Sequence, residues 1–306
     1  MRRNLILDVD TGIDDSLGII YAINDKNSKV NLITCCYCSS KVENTTKNTL
    51  NVLNFVQRTE VPVAQGEKKP LLQDRDNSIE VHGSAGLGEY KFSPIKVGKI
   101  SENAIDAMYR VIMETKGKTT IIALAPLTNI AKMLWVYPDV VKKIKHIVIS
   151  GGLLYDKKDK PYIGFNISQD AYATEYIFNS KVKVVICPSD FGHEAFLDFE
   201  DQEKLAEMNK AGKVFKEIFK SYKDRHVKSG CAAMHDACAV ACETDRDFFK
   251  YSSRWVYVRR VRAAGNAAII DFDAKLKKKH IKAKVVTQID VQKFKKRFFE
   301  RWKYLP

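Results

Sequence analysis

No apolar run in the chain approaches the roughly 18 residues needed to span a bilayer, which argues against a transmembrane helix. The long hydrophobic region of a signal peptide is missing too, because Met1-Arg2-Arg3-Asn4 lead straight into an apolar strand, and a cytosolic protein is expected. Pro/Gly/Ser-rich linkers, internal repeats and low-complexity stretches are absent, so residues 1–306 are read as one domain. Cysteines are few and odd in number, seven, which fits a disulfide framework poorly and reduced, mostly buried thiols better. Acidic residues are outnumbered, 37 Asp+Glu against 51 Lys+Arg, a surplus that suits an acidic partner or a solvated basic surface. The densest basic run, Lys275-Leu276-Lys277-Lys278-Lys279-His280, has no interleaved aromatics, so solvated surface is expected there rather than nucleic-acid contact.

What is present is a chain 45% hydrophobic and 29% charged, enough apolar material for a large buried core. Short apolar runs alternate with longer helical patterns, placing strands near 5–8, 30–36, 61–64, 119–123, 147–150 and 184–186. Helices are expected at 17–23, 45–56, 104–115 (with Ser101 as N-cap), 128–136 and 171–178, and a further helical segment near 202–225. The expected fold class is therefore α/β: a mostly parallel, Rossmann-like sheet flanked by helices, with the active site at the C-terminal ends of the strands. Phe294, Phe298, Phe299 and Trp302 are expected to pack on the domain rather than on a partner.

The segment Asp8-Val9-Asp10-Thr11-Gly12-Ile13-Asp14-Asp15 puts four carboxylates at the end of a strand and the start of a helix. Helix capping needs one or two of these, and four crowded charges repel unless a cation or several N–H donors offset them. An all-oxygen set points to a hard ion such as Ca²⁺ or Mg²⁺ rather than zinc. Further ligands are sought in Met234-His235-Asp236, although adjacent His and Asp alone carry little information. Cys35 and Cys38 have CxxC spacing without a second CxxC, and Cys231, Cys238 and Cys242 flank His235; buried thiols are expected for all of them.

With these clusters in hand, the sequence resembles the inosine-uridine preferring nucleoside hydrolase family from Leu5 to beyond Val240. Matching motifs follow in order: the acidic opening, Glu43-Asn44-Thr45-Thr46-Lys47-Asn48, Val81-His82-Gly83-Ser84-Ala85-Gly86-Leu87-Gly88, Ala125-Pro126-Leu127-Thr128-Asn129-Ile130-Ala131, Gly151-Gly152, Phe165-Asn166 and Met234-His235-Asp236. The resemblance implies Ca²⁺-dependent hydrolysis of the N-glycosidic bond of small-molecule ribonucleosides, and a homodimer or homotetramer. It implies a metal site of Asp10, Asp15 and Asp236 carboxylates plus the Leu124 carbonyl, with Asp10 also the base toward water. Asp14 would contact a ribose hydroxyl and Asp8 would brace the cluster. His235 would protonate the leaving base, His82 would face it from a mobile Gly-rich loop, and Tyr222 and His226, four apart on one expected helix face, would line the pocket.

Three sugar contacts depart from the family's pattern. Ser39 stands where Asn is usual, and Lys158 and Gly164 fall where Asn and Glu are usual, while Asn166 is retained. Losing an acid and gaining a Lys favours an anion, so a nucleoside 5′-monophosphate or a modified N-riboside is the alternative substrate, and a non-catalytic nucleoside-binding homologue is the alternative class. If the alignment is right, restoring Glu at position 164 should improve the use of common nucleosides.

Overall fold

A computed structural model describes residues 2–72, 79–88, 90–93, 97–115, 118–152, 164–224, 227–228, 230–261, 267–271 and 281–306. Lys158, His226 and the basic run ending at His280 lie outside them. Among the described residues nine strands form one sheet: β1 (Arg3–Val9), β2 (Ser28–Cys35), β3 (Val63–Gln65), β4 (Thr119–Ala123), β5 (Ile144–Ser150), β6 (Val184–Cys187), β7 (Phe249–Val261), β8 (Ala267–Asp271) and β9 (Ile281–Ile289). They lie in the order β3-β2-β1-β4-β5-β6-β9-β7-β8. Pairing is parallel from β3 through β9 and antiparallel for β7 with β9 and with β8. The α/β expectation holds, with an antiparallel extension at one edge.

The parallel strands read as near-continuous apolar runs because helices cover both faces. Alternation along β1 separates the layers: Leu5, Leu7 and Val9 enter one core with helices Ile13–Ile23, His235–Thr244 and Val291–Trp302, whereas Ile6 enters the other with Ala104–Glu114, Thr128–Val136 and Ala171–Asn179. The chain leaves β1 toward β2 on one side and reaches β4 on the other, so the strand order switches direction at β1, where doubly wound sheets open a crevice beyond the strand ends.

Two helix assignments need correction. Ser101 does not cap the helix Ala104–Glu114; Asn103 does, accepting hydrogen bonds from the Ile105 and Asp106 N–H groups. The segment 202–225 is not one helix but Phe199–Met208 and Lys210–Phe219, separated at Asn209, whose extended backbone and side-chain bond from the Gly212 N–H start a new helix. No helix among the described residues is long and apolar enough to cross a membrane. All seven cysteines are free thiols and buried.

Phe294, Phe298 and Trp302 are fully buried within the chain. Beside them the buried Arg301 guanidinium pairs with Asp245 at 2.7 Å and Asp25 at 3.2 Å, donates to the Tyr21 carbonyl at 2.8 Å, and lies 3.8 Å from the Tyr21 ring centroid. This network clamps the last helix to the first, which carries Asp14 and Asp15. Arg301→Ala would leave buried acids short of a partner and is expected to cost about 3–5 kcal/mol. In thermal denaturation that is a fall in Tm of about 5–8 °C. A loss under about 1 kcal/mol would show instead that Arg297, 2.8 Å from Asp245, suffices on its own.

Candidate active site

Five segments of the site begin just past a carboxyl end of the sheet: Asp10 after β1, Ser39 after β2, Leu124 after β4, Gly151 after β5 and Ser189 after β6. Asp14 and Asp15 occupy the first turn of helix Ile13–Ile23, where its dipole favours negative charge. Asp15 accepts hydrogen bonds from the Gly12 N–H at 3.0 Å and the Asp10 N–H at 3.1 Å, fixing the turn between strand and helix. Gly12 must be small, since a Cβ there would lie 2.8 Å from His82 Nδ1 and 2.9 Å from Ser39 Oγ. Gly18 is small for a related reason: a Cβ would lie 3.0 Å from Asp236 Cβ and 3.2 Å from Leu124 Cδ1. The Glu43–Asn48 motif serves this turn, because Asn48 Nδ2 donates to the Thr11 carbonyl at 3.0 Å and to the Ala85 carbonyl at 2.7 Å.

Asp14, Asp15 and Asp236 each place a carboxylate oxygen within 4.8 Å of the others. The Asp10 carboxylate turns toward Ser39, accepting from its N–H and its Oγ–H, both at 2.7 Å. Ser39, expected as a sugar contact, therefore braces Asp10, and Cys38 before it holds a left-handed φ of 139° that few non-glycine residues adopt. Asp8 stands behind the cluster as expected, its Oδ1 accepting from Thr34 Oγ1 at 2.6 Å and Asn129 Nδ2 at 2.8 Å. Its other oxygen is buried without a hydrogen-bond partner among the described residues.

Burial and mutual repulsion strain this cluster. Burial raises Asp8 and Asp10 to about 7, with repulsion from Asp14 and Asp8 adding to the effect on Asp10. Asp15 and Asp236 are pushed well above the ordinary carboxylate range, first by burial and then by their neighbours' charges. Among the described residues no Lys or Arg pairs with these acids; Asp14 has His82 at 3.9 Å. Buried oxygens with no balancing cation are a donor set that fits a hard divalent ion. Asp15, Asp236, Asp14 or Asp10, and the Leu124 carbonyl would hold it. That carbonyl also accepts from Asn166 Nδ2, which reaches the Ser150 carbonyl at 3.4 Å.

Histidines face the acids. His82 ends the short helix Ile79–His82 and is nearly buried, and its loop is closed in this structure: His82 Nδ1 accepts from the Ile13 N–H at 3.3 Å, and the Lys223 N–H donates to the Val81 carbonyl at 3.2 Å. Burial lowers its pKa against the pull of Asp14. Tyr222 packs 5.7 Å from the His82 ring, centroid to centroid, but it follows the helix Lys210–Phe219 instead of sitting on it, which corrects the helix-face pairing expected with His226. His235 opens the helix His235–Thr244, its Nδ1–H donating to the Ser189 carbonyl at 3.0 Å and its Nε2 lying 3.1 Å from Asp224 Oδ2. Burial alone would depress the His235 imidazolium, but Asp224, Asp14 and the Ser189 carbonyl together raise its pKa above the ordinary histidine value.

Asp224 and His193, also 3.2 Å apart, and Asn129 were not singled out as site residues by sequence reasoning. His193 follows the β6 end, where ligand contacts are to be sought; Asp224 follows a helix and carries no local signal. The Gly164 expectation needs correction: a Cβ at 164 would lie 2.4 Å from the Gly152 backbone nitrogen, so Glu cannot enter there without moving the backbone, and Gly164→Glu is no simple restoration of a sugar contact.

A family model described as inosine-uridine preferring nucleoside hydrolase matches residues 5–296. A non-specific ribonucleoside hydrolase RihC of Salmonella typhi is 31% identical over 304 residues, covering 99% of this chain and 98% of that one. Among solved structures, a purine-preferring ribonucleoside hydrolase from Gardnerella vaginalis superposes with a TM-score of 0.88 at 25% identity over 98% of both chains. A plant nucleoside hydrolase shares the fold with a TM-score of 0.89 at 24% identity, covering 99% of this chain and 100% of that one. The buried acids after β1, met by Asp236 from the far end of the sequence, thus sit in a chain that belongs to the inosine-uridine preferring nucleoside hydrolase family.

Proposed function

We propose that the protein hydrolyses the N-glycosidic bond of ribonucleosides, water and nucleoside giving ribose and the free base. The observation that carries this reading is the pairing of a buried all-oxygen acid cluster with a histidine held between a carbonyl and a carboxylate on the facing side. Ca²⁺ is the cofactor we assign to Asp10, Asp15, Asp236 and the Leu124 carbonyl, and when bound it supplies Lewis acidity and a fixed charge for the sugar hydroxyls. Asp10, oriented by Ser39, takes a proton from the attacking water. Asp14 accepts from a ribose hydroxyl, and Asn166 and His82 line the sugar and base sides. The anionic walls favour the oxocarbenium-like sugar, while His235 hands a proton to the departing base. A cytoplasmic role in nucleoside salvage, a single domain over 1–306 and a homodimer or homotetramer complete the reading.

Release of reducing sugar and free base from purine and pyrimidine nucleosides and their 5′-monophosphates tests it. Turnover of a nucleoside is expected, lost after chelation and restored by Ca²⁺. Turnover of monophosphates alone would transfer the reading to nucleotides. Bound Ca²⁺ without any turnover would replace it with a binding protein.

A further inference from the structure

Beside the acidic cluster a second set of ligand-type atoms converges from three separate segments. His193 lies on the short helix Asp190–Glu194, Asp224 follows the helix Lys210–Phe219, and His235 opens the helix His235–Thr244. Asp224 Oδ2 is 3.2 Å from His193 Nε2 and 3.1 Å from His235 Nε2, and one ligand atom of each residue lies within 4.8 Å of the others. The two imidazoles meet edge to face with centroids 4.5 Å apart, so they converge on one carboxylate instead of stacking. Around a tetrahedral ion with bonds of about 2.0–2.1 Å, neighbouring ligand atoms stand about 3.3 Å apart, close to the separations found here. Two imidazoles and one carboxylate suit a borderline cation, unlike the all-oxygen set next door.

A second observation concerns the far side of the His235 ring. Its Nδ1–H donates to the Ser189 carbonyl at 3.0 Å, the outer hydrogen bond that holds a metal-binding imidazole, so an ion that displaces the Nε2 proton now shared with Asp224 finds that nitrogen already aimed at it. Gly192 makes room for that ring, since a Cβ there would stand 2.1 Å from His235 Nδ1. The side chains of His193, Asp224 and His235 are 18%, 11% and 15% exposed, so the set is largely desolvated yet reachable.

We propose that His193, Asp224 and His235 form a second metal site for a borderline divalent ion such as Zn²⁺, and that its occupancy inhibits the enzyme. The ion takes the Nε2 lone pair of His235, which in turnover carries the proton for the departing base. Proton donation and metal binding are then exclusive states of one ring, while the acidic cluster is left to its hard cation. The effect on turnover rests on the hydrolase reading; the binding itself does not.

Full-length protein saturated with Ca²⁺ is titrated with Co²⁺ and followed by visible absorption, and separately with Zn²⁺ and followed by nucleoside turnover. One equivalent of Co²⁺ is expected to give the intense bands of a four- or five-coordinate ion, displaced by Zn²⁺, and Zn²⁺ is expected to stop turnover. In His193→Gln both affinities should fall at least about tenfold, each measured against the variant's own zinc-free rate. His193→Asn is the second variant, and circular dichroism checks that each is folded. A weak octahedral Co²⁺ spectrum displaced by excess Ca²⁺ would place the ion on the acidic cluster and overturn the proposal, as would equal Co²⁺ affinity in wild type and both variants. Absent turnover with an intact Co²⁺ spectrum would sink the hydrolase reading and leave the metal site standing.

Discussion

Asp10→Asn is expected to lower kcat/KM for a ribonucleoside by about 10²–10⁴-fold without lowering the melting temperature of the cation-free protein. Asn keeps an oxygen to accept from the Ser39 N–H and Oγ–H, both 2.7 Å from the carboxylate in the parent chain, so the turn need not move. It removes the group that accepts a proton from water. The stability half follows from the direction of the pKa shift. Burial raises Asp10 to about 7 from an ordinary 3.8, so the folded state holds that proton more tightly than the unfolded chain. Stability contributed by the protonated form is present at low pH and is lost as pH rises from about 4 to about 7. At pH 8, therefore, charged Asp10 opposes folding unless a cation is bound, and the neutral amide should melt at the same or a higher temperature. A variant within tenfold of wild-type kcat/KM would sink the proposed base; a variant that is inactive and melts lower would show that the carboxylate is structural.

The second large effect is on the leaving group. His235→Ala is expected to reduce kcat for ordinary nucleosides by about 10²–10⁴-fold with little change in KM, because the base would have to depart without a proton. A riboside whose leaving group is a stable phenolate needs no proton and should react at nearly the wild-type rate. Because Asp224 and its neighbours hold the His235 pKa above the ordinary value, the wild-type rate on nucleosides should fall at a higher pH than an ordinary histidine acid would give. The variant should lack this descending limb. Equal losses on nucleoside and phenolate riboside would reassign His235 to holding the sugar or the helix start at Asp236.

Much of this site was legible because the chemistry is local in sequence. Asp8, Asp10, Asp14 and Asp15 lie within eight residues, and four carboxylates at a strand end have few explanations. The parallel strands β1 to β6 were legible too, as short apolar runs bounded by turn residues, whereas β9, parallel to β6, carries Lys282, Lys284 and Gln288 and was not. The edge of the sheet was not: β7 reads Phe-Lys-Tyr-Ser-Ser-Arg-Trp-Val-Tyr-Val-Arg-Arg-Val, and its charges conceal an antiparallel strand whose partner β9 comes some thirty positions later. Asp224 was illegible because its meaning is the two imidazoles it meets, which lie 31 and 11 positions away. The two bonds from Ser39 to Asp10 were not legible, since a comparison with related sugar contacts says nothing of them. Gly164 was misread because an aligned position says nothing of the Gly152 backbone that fills the space where its side chain would go.

The first helix carries Asp14 and Asp15 at one end, packs through Gly18 on Asp236 and Leu124, and is clamped by Arg301 from the last helix. The acid cluster is thus a long-range object, closed only when segments from both extremes of the chain have docked. Closing loops of that length costs more chain entropy than forming the local helices or the strand pairs nearest in sequence. A hard cation held by both Asp15 and Asp236 would therefore bind the docked chain and not a fragment lacking either segment, so metal affinity would report tertiary closure where circular dichroism reports only helices and strands.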